Sequence, residues 1–561
     1  MADINRVLYT AKQAILSNLT AINVTGANIA NVNTPGYSRL RPMFEAVGTK
    51  DATSNLEQIG VKISDVQRIY DKYLESQIVL QDSAVGSATT RKSLLSQIEG
   101  ILNENKGGGI NDVLSQFWSA WNNLSANPSG KAERDVLISA AKNLTNVFNQ
   151  SADELSTMQY STDQTIADTV EKLNGYLSDI AAVNAEVVKT ESAGGQATTL
   201  RDNRTELLRN ISTIIDINYV ERSDGSLYIY LASNGKALVE GDNNWELMVQ
   251  RNSDNSNNLY DIVFTNDRST ALNSYINGGE LGGLLNIRDV ILPEYIDELN
   301  QTASSVINKV NAQHMSGYDQ EGNIGGLFFA QTTEAKYMQF DSAILADARK
   351  IAASSTVNAD GDNATAMAAI KDDKMYASLG AVATGNPGVA IAAGQINNVG
   401  QVYKSTISNI EIQRGATAGT WTINNDGGYA SLTILSADAG SVTLDLNGND
   451  TADITFNLSG TWDNGDTLSF SLAERDSTTN IDGYFNAFMA RMGQDVSSAG
   501  QTLTREQAIA NQQNDQREQL SGVSLDEEML NLIKYQMAYN AAGRITKTVS
   551  DMMDILINLG R

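Results

Sequence analysis

The chain has 561 residues and carries 40 Lys+Arg against 66 Asp+Glu, a formal net charge of −26, with one histidine and no cysteine. That sign of charge repels nucleic-acid phosphates, the missing thiols exclude disulfides, zinc fingers and thiol nucleophiles, and one imidazole excludes a histidine-rich metal site. At about 150 residues per domain the length suggests three or four domains, each with its own core.

The first residues hold no apolar core of the kind a cleavable signal peptide needs, because Lys12, Gln13, Ser17 and Asn18 interrupt it. No run approaches the roughly 18 apolar residues of a membrane span, so membrane insertion is not expected. A cytoplasmic location is the default, although export without a cleaved signal would leave the same sequence. The opening segment repeats every seven residues: Leu8, Ile15, Ile22 and Ile29 share a stripe, with Ile4, Ala11, Asn18 and Thr25 in the alternate places. This fits equally an amphipathic core helix and a helix that binds a partner or self-assembles. The helix should end near Asn31 and Asn33. Thr34, before a proline, is pushed out of helical geometry, and Pro35-Gly36 is the favoured centre of a type II turn. Such a stop reads as a hinge between a terminal tail and the body.

Helices are expected over 91–103, 111–126 and 131–158, with turns at Gly107-Gly108-Gly109 and Asn127-Pro128-Ser129-Gly130. Ile166, Val170, Leu173, Leu177, Ile180, Asn184 and Val187 describe a further rod-like helix in which Asn184 could fix register. Leu200 to Ile215 is another. The period then changes to two in Leu227–Leu231, Ala237–Val239 and Tyr260–Phe264, which predicts short strands. A helix runs from about Leu284 to His314. The stretch 390–475, dense in Gly, Asn, Thr and Asp, predicts strands at Thr420–Ile423, Ala430–Leu435, Val442–Leu446, Ile454–Leu458 and Leu468–Leu472. Helix returns from Gly483 and continues with breaks to the end. There Leu530, Ile533, Met537, Ala541, Ile545, Thr548, Met552, Ile555 and Leu559 form a second stripe, behind a Ser524/Glu527 capping box and Asp526 to Glu528 at the positive end of the helix dipole. One stripe on each terminal helix suggests that the two pack together, with the remaining chain inserted between them. The fold class is multidomain α+β: long terminal helices in a coiled-coil-like rod with a helical bundle, and β-rich domains in the middle.

No chemical motif stands out. Gly107-Gly108-Gly109 lacks the Lys-Ser or Lys-Thr of a phosphate loop and reads as a linker or helix start. Gly278 to Gly283 lacks dinucleotide spacing and reads as a turn leading into the helix at Leu284. Asp445 to Asp450 lacks the Gly and Glu of a calcium loop and reads as a polar turn. A Ser-His-Asp triad would have to use His314, which has no nucleophile elbow to serve and reads as structural, near a helix C-terminus that favours its charged form. No catalytic residue, cofactor or metal site is assigned, and the chain is not expected to be an enzyme.

The stretch Asn28 to Tyr37, NIANVNTPGY, resembles the N-terminal signature of the bacterial flagellar axial proteins, with Asn28, Asn31, Thr34, Pro35, Gly36 and Tyr37 carrying the match. Ser521 to Leu559, and within it Leu525, Asp526, Glu527 and Glu528, is similar to the end of that family's hook-associated, junction-forming branch. Leu124–Leu144, Leu200–Ser212 with Tyr230–Gly241, Gly278–Leu299 with Asn311–Phe329, and Ala352–Ile370 also look like that branch. In the first helix, VTGANIANVN (Val24 to Asn33) stands where Ser-Asn-Asn-Ile-x-Asn is more typical.

The resemblance implies a structural subunit of the flagellum, outside the cell at the hook–filament junction. It would leave through the flagellar type III pathway without signal cleavage. Implied partners are other copies of itself in a ring, the hook protein, a second junction protein, and an export chaperone holding the C-terminal helix. Assembly would use Ile4, Leu8, Ile15, Ile22 and Ile29 with Leu530, Ile533, Met537, Ile545, Met552, Ile555 and Leu559. The expected domains are 1–40 with 521–561 for assembly; 41–215, 280–320 and 481–520 as a helical rod; 216–279 as a small β element; 321–377 opening an outer domain; and 378–480 as a variable β-rich insert. The rival readings are a hook, rod or second junction protein, which the Leu-Asp-Glu-Glu and GGELGGLL stretches argue against, a secreted adhesin using the insert, and a hydrolase hosted by the insert, which holds no His or Cys.

Overall fold

A computed structural model describes residues 2–34, 36–50, 56–102, 108–252, 258–357, 360–373, 380–384, 390–391, 395–396, 410–416, 420–426, 432–437, 441–445, 454–459, 463–471 and 480–559. Helix α1 (Ala2–Ala30) leads into a hairpin of β1 (Leu40–Lys50) and β2 (Leu56–Arg68). Four helices follow: α2 (Lys72–Leu102), α3 (Ile110–Ala126), α4 (Lys131–Ser192) and α5 (Thr198–Ile214). Strands β3 (Ile217–Glu221), β4 (Leu227–Leu231), β5 (Ala237–Glu240) and β6 (Asn243–Asn244) make one antiparallel sheet in sequence order, and β7 (Leu247–Arg251) pairs with β8 (Tyr260–Phe264). Next come α6 (Gly279–Asn286), a π-helical turn over Ile287–Ile291, α7 (Leu292–His314), and the short α8 (Ser342–Ala346) and α9 (Asp362–Ala369). After the β-rich stretch come α10 (Ile481–Ser521) and α11 (Leu525–Leu559).

The chain divides into two compact units, each gathered from separated stretches, where length alone suggests three or four domains. The first unit holds Met1–Ser93, Thr162–Asn286 and Ala499–Arg561. Its part of α4 begins in a polar stretch, residues 159–165, that reads like a gap between two helices. The helix runs through it unbroken, because the stretch contains neither Gly nor Pro and its polar side chains find partners. Buried Asp163 accepts the Tyr260 N–H at 2.9 Å and pairs with Arg251 at 3.3 Å, so the stretch is where the β7–β8 hairpin docks. Asn184 likewise does not set a coiled-coil register. Its Nδ2 donates to Leu227 O at 2.9 Å and Gly241 O at 2.8 Å, and its Oδ1 accepts from Leu227 N–H, tying α4 to the β3–β6 sheet.

The glycines of 278–283 are also not a simple turn. Gly279, with φ +67°, opens α6, and Gly282 and Gly283 lie inside that helix. A Cβ on Gly283 would sit 2.9 Å from Ser87 O of α2, so glycine permits a backbone-to-backbone contact there. The β1–β2 hairpin falls where the sequence suggested only helical rod. Pro42 and scattered charges conceal its alternation, and bulges at Met43/Phe44 and Val47/Gly48 break the period of two.

The second unit holds Leu94–Ser161 and Ile287–Ser498. Its core is aromatic: Phe117 and Trp121 of α3 meet Phe328 at 5.9 Å and 5.2 Å between centroids, and Phe340 packs on Phe328 at 4.8 Å. Buried Asn311 of α7 accepts the Phe328 and Phe329 N–H groups at 2.8 Å each and returns a bond to Phe329 O at 2.9 Å. His314 completes this layer and is fully buried. Its Nε2 accepts the Ala352 N–H at 2.8 Å, and its Nδ1 lies 2.7 Å from Gly326 O, which makes Nδ1 the protonated nitrogen. Burial holds its pKa down to about 4, so the helix end does not keep it charged as expected; desolvation outweighs the dipole.

In the β-rich stretch, Gly380–Thr384, Ile410–Arg414, Trp421–Asp426 and Thr467–Ser471 form one antiparallel sheet. Thr433–Ala437, Ser441–Asp445, Ile454–Ser459 and Ala390–Ile391 lie in another, with Gln395–Ile396 also paired to Ile454–Ser459. Residues 446–450 of the polar-turn reading, and Gly107 of the glycine run, lie outside the described residues; Gly109 is the N-cap position of α3.

Candidate assembly site at the chain termini

Helices α1 and α11 pack on each other, and α1 is also covered by β2, where Ser17 Oγ donates to Val61 O at 3.0 Å. The packing uses the alternate places of the first stripe: Ala11, Asn18 and Thr25 are buried, while Leu8, Ile15, Ile22 and Ile29 are half-buried. The asparagine is tolerated there because its Nδ2 donates to Ala14 O at 2.7 Å within its own helix.

On α11 the buried positions are Glu528, Ala542 and Val549. The apolar stripe read from the sequence faces away. Leu530 is 69% exposed, Met537 67% and Ile555 59%, and Ile533, Ile545 and Met552 are exposed as well. The terminal helices therefore pack together, but not through that stripe. Val7, Tyr9, Leu16 and Leu19 of α1 are also exposed; lying outside the heptad seam, they escape a reading based on it. The side chains of Ile4 and Leu559 lie outside the described residues.

Between the two helices sits a polar knot built from the signature residues. Asn28, 1% exposed, uses its whole amide. Its Oδ1 accepts from Tyr37 Oη and from the Leu40 N–H, both at 2.9 Å. Its Nδ2 donates to Leu40 O at 2.9 Å and to Glu528 Oε2 at 3.1 Å. The other oxygen of Glu528 accepts from Arg39 Nε at 2.7 Å, and Arg39 also reaches exposed Glu527 at 2.8 Å. One asparagine thus ties the end of α1, the start of β1 and the first turn of α11. The capping box closes on one side only: Ser524 Oγ accepts the Glu527 N–H at 3.5 Å, while the Glu527 carboxylate is drawn to Arg39.

The turn before the hairpin is held as firmly. Thr34 O accepts the Tyr37 N–H at 3.2 Å, and Gly36 has φ +79°, a backbone conformation that favours glycine; Pro35 lies outside the described residues. Arg517 of α10 donates to Gly36 O at 2.9 Å and pairs with buried Glu75 at 2.6 Å. Asp202 of α5 accepts the Ser38 N–H at 3.3 Å and pairs with Arg68 at 2.6 Å. The segment that reads as a hinge is bolted to α5, α10 and α11. Burial, with Asp202 and Glu528 close by, pushes the Tyr37 hydroxyl up to about 12, so it stays a donor to Asn28. Arg39, Glu75, Asp202 and Arg517 were missed by sequence reading, since partners hundreds of positions apart leave no local signal. Asn31 only closes its own helix end, donating to Ala27 O at 2.9 Å, with Thr34 bonded to it at 3.2 Å. Leu525 and Asp526 are exposed.

Among the described residues no group of His, Asp or Glu is placed to hold a metal ion, and no helix is long and apolar enough to cross a membrane.

Comparison with known proteins matches three parts of the chain to family models. Residues 95–329 match the helical domain of flagellar hook-associated protein FlgK. Residues 516–559 match the flagellar basal body rod FlgEFG protein C-terminal family, and residues 8–37 the flagella basal body rod protein family. The last two ranges hold all of α11 and most of α1. Flagellar hook-associated protein 1 of Bacillus subtilis is 25% identical, over 98% of this chain and 97% of that protein. The Salmonella typhimurium protein of the same name is 25% identical, over 96% and 97%. In fold, the flagellar hook junction protein FlgK of Burkholderia pseudomallei is similar with a TM-score of 0.51 at 18% identity, covering 79% of this chain and all of that one. Matched by flagellar family models in its helical region and at both termini, and aligned with these relatives over nearly its whole length, the chain is similar from end to end to flagellar hook-associated protein 1.

Proposed function

We propose that this chain is a non-enzymatic subunit that joins the hook to the filament at the hook–filament junction, assembling through its two terminal helices. The observation that carries this reading is the stripe on α11, whose large apolar side chains stay in water while the helix packs on α1 through another face. Burying one such side chain contributes about 1.5–3 kcal/mol, so several per helix can offset the cost of ordering and association. The proposed interface is Leu8, Ile15, Ile22 and Ile29 with Leu530, Ile533, Met537, Ile545, Met552 and Ile555, extended by Ile4 and Leu559. Residues 1–40 and 521–561 would act as the assembly domain and 378–480 as a variable outward insert.

The partners are further copies in a ring, the hook protein below and the second junction protein above. The chain would reach the outside of the cell through the flagellar type III pathway uncleaved, with a chaperone covering the C-terminal stripe beforehand. Deleting residues 1–30 or 525–561 should leave a soluble, folded middle that cannot join hooks. Truncated chains that still occupy hook tips and support filaments would show that the terminal helices are not the assembly element.

A further inference from the structure

The first unit contains a cleft of about 810 Å³ whose chemistry the assembly reading does not use. It lies where the end of β2, the start of α2, α5 and β3 meet. Five of its lining residues are cations, Arg68, Lys72, Arg201, Arg204 and Arg222, against two carboxylates, Glu191 and Glu221, in a chain whose net charge is −26.

Arg68 is matched by Asp202 at 2.6 Å. The other cations crowd onto too few acids. Glu221 takes Lys72 at 3.0 Å, Arg204 at 2.9 Å and also Arg201, and Glu191 takes Arg201 at 2.6 Å. Although burial opposes it, this crowd holds the Glu221 carboxyl down to about 2. Arg204 is 5% exposed and is fixed by Gly225 O at 2.6 Å and Asn184 at 3.2 Å, so one cation is built into the wall. Lys72 and Arg222 stand exposed, the latter over the Tyr228 ring at 4.7 Å. With Asp224 close to Arg222, these four cations face three carboxylates, which still leaves a local positive surplus that focuses field into a concave, partly apolar space.

We infer that this cleft binds an acidic peptide segment, its carboxylates meeting Lys72, Arg201 and Arg222 and its aliphatic portions lying on Tyr70, Tyr219 and Leu208. A small inorganic anion would occupy only a fraction of the volume and leave the apolar wall unused. A nucleic acid would be opposed over its length by the acidic remainder of the chain. The inference rests on this cleft alone and stands or falls apart from the junction role.

The test titrates the full chain with a short acetylated peptide alternating Glu and Leu, read by calorimetry at low ionic strength. A Gln-Leu peptide and inorganic phosphate serve as comparisons. The expected result is saturable binding of the Glu-Leu peptide only. It should weaken about tenfold in R222E and again in K72E, and at high salt, with unchanged melting temperatures. If either charge reversal lowers the melting temperature, R222Q and K72Q must show the same ordering of affinities. Equal binding of the Gln-Leu peptide, unaltered binding in the variants, absence of binding, or displacement by equimolar phosphate would each overturn the inference.

Discussion

Asn28 satisfies four hydrogen bonds with one amide, and one of its partners is a carboxylate buried at 2% exposure. Replacing it by alanine removes partners from one Glu528 oxygen, the Leu40 peptide group and the Tyr37 hydroxyl together, while Arg39 keeps the other Glu528 oxygen, so Asn28→Ala should destabilise the first unit by about 2–4 kcal/mol. Tyr37→Phe should cost only about 1 kcal/mol, because it removes one bond and leaves the rest of the knot. Urea unfolding of the two variants checks the order; equal effects would contradict the central place of Asn28.

His314 gives a pH signature. The unfolded chain takes up a proton there below about 6.5, whereas the folded chain does so only near 4. Stability that is present above pH 6.5 is therefore lost as pH falls through that window, by about 3 kcal/mol in all, and no further loss comes from this group below 4. There is no second imidazole to blur the measurement. His314→Gln should flatten the stability profile between pH 6.5 and 4 whatever its own absolute stability. Seen from sequence, the residue types were legible at both sites but their state was not: burial decides whether His314 is charged, and a partner 500 positions away decides what Asn28 does.

At the level of elements, α11 carries two apolar stripes that the three-and-four spacing does not rank. The more conspicuous one is exposed, and the one around Ala542 and Val549 meets α1. Leu530→Asp, Met537→Asp and Ile555→Asp should thus leave the circular dichroism and melting of the monomer nearly unchanged while abolishing assembly. Val549→Asp should instead loosen α1, seen as faster hydrogen exchange across residues 11–30. The opposite pattern would exchange the roles of the two faces.

Gly283→Ala in α6 places a methyl 2.9 Å from both Ser87 O and Thr90 Cβ, and should cost about 1–3 kcal/mol in thermal denaturation. Helix positions and most strands were readable because period and turn residues are local properties. The β1–β2 hairpin was not, because its bulges break the period. The continuity of α4 was not, because a polar stretch that docks a hairpin looks like an interruption.

For the whole molecule, the order of helices, β modules and helices follows from the change of period along the chain. The division into two units from non-adjacent stretches does not, since it depends on which buried faces meet. In the proposed junction role, exposed faces of the terminal helices, held in place by the signature knot, make the contacts to neighbouring subunits. The most direct measurement is electron microscopy of flagella from cells whose only copy of this gene carries Leu530→Asp, Met537→Asp and Ile555→Asp. The expected result is bare hooks, with filament protein shed into the medium and the variant chain found soluble and folded. Hooks bearing normal filaments in those cells would contradict it.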